Sequence, residues 1–171
     1  MAPTTYTPPI NTYVPLESIV LTNAASSVTF FNIAQSDANG TYKDLVLVSN
    51  TIGTGTNMYV RFNGDSSTSN YSYVFMRGRT SGYDSAAYTT DGAFYSIPCS
   101  TGYAGQLQVM DFTDTSKHKT ALMRDSNASA DYVIALAGRW ASTAAVSAIT
   151  MYNNNGSWSA GSTFSLYAVH G

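Results

Sequence analysis

The chain has 171 residues, 44% hydrophobic but only 11% charged, with a net charge of −2. That length suits a single domain able to bury about 70% of the surface its unfolded chain exposes, so folding requires neither metal nor disulfide. The eight cations are scattered, which argues against direct nucleic-acid binding, and no apolar run approaches the roughly 18 residues of a membrane helix.

With so few charges the surface must be built from Ser, Thr, Asn, Gly and Tyr. Such a surface packs against its own kind with little desolvation of charge, so self-association is expected. The first residues, Met-Ala-Pro-Thr-Thr-Tyr-Thr-Pro-Pro, have neither the positive n-region nor the apolar h-region of a secretory signal, so synthesis in a host cytoplasm is expected.

Four of the five prolines, Pro3, Pro8, Pro9 and Pro15, fall in residues 1–15. This stretch reads as an extended arm stiffened toward polyproline II, followed by one domain over 16–171. Tyr6, Ile10, Tyr13 and Val14 give the arm apolar anchors, so it either docks on a neighbour or is a solvated tail.

From Leu16 onward short alternating or apolar runs are separated by Gly, Asn, Asp and Ser clusters. Strands are expected near 19–21, 27–31, 43–49, 57–62 and 71–77. Others follow near 93–97, 106–111, 119–124, 132–138, 145–152 and 163–169. With no amphipathic helix among them, the expected fold is all-β, an antiparallel β-sandwich of jelly-roll type. Residues 80–93 lack clean alternation and fit either an exposed loop or a weak edge hairpin.

Asn63-Gly64-Asp65 is the sharpest local signal, because Asn and Gly tolerate the positive φ of a tight turn. Asn63 and Asp65 with Ser66 and Thr68 also resemble the oxygen spacing of a calcium loop. They lack its bidentate Glu, so a structural turn that sets strand register is expected and no metal is assigned. Asp111-Phe-Thr-Asp114 is read the same way.

Catalytic groups are not evident. The chain has one glutamate, Glu17, and its aspartates lie mostly in or beside turns, where they bond the backbone. Cys99 has no neighbouring cation or histidine to activate it. No catalytic residue and no cofactor is therefore expected. Most of the 13 tyrosines fit strand packing, while Tyr83, Tyr88, Tyr103 and Trp158 fall in Ser/Asn/Gly-rich stretches as candidate contact residues for a protein or a glycan.

The segments Ser27-Val-Thr-Phe-Phe-Asn-Ile, Tyr42-Lys-Asp-Leu-Val-Leu-Val, Val60-Arg-Phe-Asn-Gly-Asp with Asn70-Tyr-Ser-Tyr, and Gly161-Ser-Thr-Phe-Ser-Leu-Tyr together resemble a group of small virion structural proteins of tailed bacteriophages. The resemblance spans residues 26–169 and rests on the order of the elements. The closing Tyr167-Ala-Val-His170 departs from the apolar-Gly-apolar ending common in that group. The resemblance implies a non-enzymatic β-sandwich built into a virion. The expected role is a capsid decoration or cement protein bound to the major capsid protein or another virion protein, with a homo-oligomer, by analogy a trimer, as the assembly. The alternative is a tail or fibre component that binds a host glycan.

Overall fold

The structure, a computed structural model, describes residues 12–55, 57–95, 101–128 and 131–171. Thirteen strands and no helix occur among them. In chain order they are β1 (Tyr13–Val20), β2 (Ser27–Phe30), β3 (Ser36–Asp37), β4 (Gly40–Thr51), β5 (Asn57–Phe62), β6 (Tyr71–Arg79) and β7 (Gly82–Asp91). They continue with β8 (Phe94–Tyr95), β9 (Tyr103–Met110), β10 (Lys119–Asn127), β11 (Tyr132–Trp140), β12 (Ile149–Asn154) and β13 (Thr163–His170).

The strands form an antiparallel sandwich of two unequal sheets. The larger has nine strands in the order β1-β13-β4-β9-β10-β11-β6-β7, with β3 paired to β4 off this path. The smaller has the order β2-β12-β5-β8. The two-sheet antiparallel sandwich is the expected architecture, with its strands divided nine to four.

Period-2 alternation places the core. In β10, Lys119, Ala121, Met123, Asp125 and Asn127 are buried while Thr120, Leu122, Arg124 and Ser126 are exposed. The inward rows of the large sheet bring Leu45, Leu107, Met123, Leu136 and Leu166 against Phe30, Val60, Phe62, Phe94 and Met151 of the small sheet. Phe62 and Phe94 meet edge-on at 5.5 Å, and Phe62 meets Trp140 at 5.6 Å, joining the sheets through aromatic contacts.

One expectation is corrected here. Tyr13, Val14 and Pro15 do not belong to an arm outside the domain: they open β1 and pair with Val169, Ala168 and Tyr167. Pro15 is accommodated because β1 is an edge strand with a register shift between Pro15 and Glu17, so its missing N–H breaks no central ladder. Tyr6 and Ile10 lie outside the described residues, as does Cys99. Of the two readings of 80–93, the edge hairpin is the one observed, since β7 pairs along β6 and forms the far edge of the large sheet.

Candidate functional site

The Asn63-Gly64-Asp65 turn stands where the chain crosses from β5 in the small sheet to β6 in the large one. Asn63 and Gly64 both have positive φ, 52° and 69°, and the Asp65 N–H donates to the Phe62 carbonyl at 2.9 Å. That is the dihedral signature of a primed turn, open to Asn-Gly at low strain. The turn therefore sets the crossing between the two sheets, and not a hairpin register.

Its side chains are fully engaged within the fold. The Asn63 amide donates to the Ala145 carbonyl at 2.8 Å, and its Oδ1 accepts from the Ser147 and Ala148 N–H groups at 2.8 and 3.0 Å. Asp65 accepts from Trp140 Nε1 at 2.7 Å, Asn70 Nδ2 at 2.8 Å and the Ser67 N–H at 2.9 Å. Burial pushes the Asp65 carboxyl upward, but these hydrogen bonds and the charge of Arg61 outweigh it and hold its pKa below the ordinary value. Tyr71 closes the corner, accepting from the Phe62 N–H at 3.0 Å and donating to the Asp65 carbonyl at 3.1 Å.

A buried cation is consumed in the same way. Lys119 has no solvent exposure and donates to the carbonyls of Asp114, Lys117 and Thr143, which organises the turn before β10. Desolvation lowers its pKa.

The four candidate contact residues separate. Tyr103 is buried and donates to Asp125 at 3.0 Å. Trp158 is fully buried against Phe164, with ring centroids 4.8 Å apart. Both assignments to exposed loops are corrected: their polar flanks are turn chemistry, while the rings fill the core. Tyr88 lies on β7 and stacks on Tyr73 at 5.0 Å. Tyr83, 93% exposed, begins the same strand.

The surface left open is the outer face of the large sheet. Ladder register aligns Val74, Ala137, Leu122, Gln108 and Val46 in one row across β6, β11, β10, β9 and β4, with Val46 buried at its far end. The adjacent row is Met76, Ala135, Arg124, Gln106 and Val48. Met76 is 67% exposed, Val133 59% and Val74 54%. Ala135 and Ala137 on β11 are short, and the flanking side chains of β6 and β10 are long, so a furrow of about 470 Å³ runs along β11. No acidic side chain lines it, and Arg124 donates to Gln106 at its rim at 3.0 Å.

Sequence reasoning missed this face. The available signal was the continuous apolar run in β6 and β11 (Tyr-Val-Phe-Met and Val-Ile-Ala-Leu-Ala), where a sheet with one solvated face should alternate.

A second feature lies on the outer face of the small sheet. Tyr95, Tyr59 and Tyr152 align across β8, β5 and β12, with Tyr59 stacked on Tyr152 at 5.1 Å. The Arg61 guanidinium sits 4.7 Å from the Tyr152 ring centroid, and its Nε donates to the Gly92 carbonyl at 2.8 Å.

No protein-family model matches the chain, and no curated protein matches it.

Proposed function

We propose that this chain is a non-enzymatic structural protein of a bacteriophage particle, of the decoration or cement type, that binds the outer head lattice. The observation that carries the reading is the uncovered apolar outer face of the large sheet, where Val74, Met76, Leu122 and Val133 stand exposed in register. A contiguous apolar face on a nearly uncharged domain marks a protein contact surface. The titratable groups of the corner and of the β9–β10 core, Asp65, Asp125 and Lys119, are tied to structural partners, which suits a scaffold role. The resemblance to phage virion proteins supplies the particle.

Co-sedimentation of the purified protein with phage heads that lack it tests this, with copy number read by gel densitometry against the major capsid protein. Saturation at a fixed ratio is expected, with binding lost in Leu122→Asp. No binding to heads, or binding that Leu122→Asp leaves intact, overturns the reading. The Tyr59–Tyr152 stack with Arg61 favours the fibre reading, in which the small sheet grips a glycan through aromatic rings. Glycan binding abolished by Tyr152→Ala, without head binding, would select it.

A further inference from the structure

We infer that the outer face of the large sheet closes on a second copy of this chain, about a two-fold axis that runs parallel to the strands between β9 and β10. The inference rests on reading that face as a protein contact surface, and it makes the pair, not the single chain, the unit that engages a head.

The face is apolar enough to need covering and large enough to hold a pair. Among the described residues, nine of the twelve exposed large apolar side chains stand on it, and only Phe31, Ile52 and Tyr88 lie elsewhere. Eight strands about 4.8 Å apart, paired over about seven residues, span about 38 Å by about 24 Å, an area of about 900 Å². A stable interface takes about 800 Å² from each partner.

The sheet order selects the axis. In β1-β13-β4-β9-β10-β11-β6-β7 the gap between β9 and β10 is the midpoint, with four strands on each side. A two-fold there lets the two sheets overlap across their whole width, at the small angle of aligned sheet packing. It lays β4 of one copy over β11 of the other, and β13 over β6.

The outward rows then meet in complementary sizes. Val46 and Val48 lie over Ala137 and Ala135 of the second copy, while Tyr167 lies over its Val74 and Ser165 over its Met76. Val46 holds an outward position yet is only 4% exposed, so its neighbours cover it. The surface over β4 thus stands high where the furrow along β11 lies low.

Charge selects the same axis. The outward positions of β4, β9, β10, β11 and β6 carry three charged side chains, Asp44, Arg124 and Arg139. Among the described residues neither Asp44 nor Arg139 has an ion-pair partner. Register runs from Arg139 through Thr120 and Met110 to Asp44, so the two charges share one row. The axis brings Arg139 of each copy over Asp44 of the other, pairing charges that would be costly to cover singly. Arg124 lies over the second copy's Gln106, whose amide oxygen can accept from it. An axis along β10 would instead set Arg124 against Arg124. One between β10 and β11 would lay Asp44 over β7, which carries no cation.

Sedimentation of the full chain tests this. The wild type should have the mass of two 18.3 kDa chains, and Arg139→Asp or Asp44→Arg the mass of one. Mixed in equal amounts, the two variants should regain the mass of two, because the native Asp44 then faces the native Arg139 and the new carboxylate faces the new guanidinium. Thermal melting by circular dichroism reports folding. Arg139 is exposed, so Arg139→Asp should melt with the wild type. If Asp44→Arg unfolds because Gln108 and the Asp111 N–H lose their acceptor, Arg139→Asp alone decides. A wild type with the mass of one chain, a folded Arg139→Asp that keeps the mass of two, or two folded variants whose mixture stays at the mass of one overturns the inference. A pair that does not bind heads sinks the proposed particle role while this contact stands. Head binding by a wild type with the mass of one chain does the reverse.

Discussion

The two faces of the large sheet both carry large apolar side chains, with opposite fates. Inward, a Cβ added at Gly138 would stand 2.4 Å from Phe94 Cε1, so the core beside Tyr73 and Trp140 has no room for a methyl group. Outward, Ala137, the adjacent residue on the same strand, borders an open furrow. Inside, Phe62, Tyr71, Tyr73, Phe94, Trp140 and Trp158 are each met by another aromatic ring. Outside, Val74, Met76 and Leu122 end in solvent. Folding accounts for the first face, whereas the second costs exposed apolar area that only a partner would recover. The comparison predicts that substitutions on the inner face and its corner cost stability, and that those on the outer face cost association.

The largest loss is expected at the corner. Asp65→Ala removes the acceptor of Trp140 Nε1, Asn70 and the Ser67 N–H at once, and Trp140 is buried. Leaving a buried donor unpaired and the turn unbraced should cost about 2–3 kcal/mol in denaturant unfolding. The same carboxylate gives a pH signature. Its pKa is depressed in the folded state, so it stabilises above its unfolded value near 3.8 and loses that contribution as pH falls through the folded value. Asp84, bonded by Arg77 and Arg79, and Asp114, bonded by Ser116, are both drawn down to about 2 and act in the same direction. Wild-type stability should therefore fall from about pH 4 toward pH 2. Asp65→Ala should show a shallower fall, and an equally steep one would remove Asp65 from this account.

A smaller loss is expected one residue earlier. Gly64 has φ of +69°, but nothing lies within 4 Å of where its Cβ would be. Gly64→Val thus meets backbone strain without a clash and should cost about 1–2 kcal/mol, with Gly64→Asn costing less because Asn tolerates the left-handed region. Equal melting temperatures for wild type and Gly64→Val would show that the corner tolerates a different turn.

What the sequence disclosed follows the same division. Alternation made β5, β10 and β13 legible, and Asn-Gly marked the corner, because both are local. The bond from Trp140 to Asp65 joins residues 75 apart, and no local pattern announces it. In β7 the large Tyr83 shares the outward face with the small Ser85 and Ala87 while the charged Asp84 faces Arg77, which masks the period of a strand. Tyr103 and Trp158 were misplaced since Gly, Ser and Asn around them signal turns, while the rings themselves obey burial. Pro15 suggested a boundary that an edge strand with a bulge does not need. The open face was legible only as a failure of alternation, which a sequence shares with a sheet buried on both sides.

The smallest effect on folding is expected where the effect on assembly should be greatest. Leu122 on β10 points away from the core, between Ala137 of β11 and Gln108 of β9 in the register. Leu122→Asp exchanges an exposed apolar group for a charge without opening a cavity or stranding a buried donor, so thermal and denaturant stability should change by no more than about 0.5 kcal/mol. Contact through that face should nevertheless weaken sharply, because the new carboxylate would be desolvated without a designed partner. Unfolding of Leu122→Asp measured beside its sedimentation and head binding checks both halves. A loss of stability as large as that of Asp65→Ala would mean that the outer face is part of the core, and the distinction between the two faces would fail.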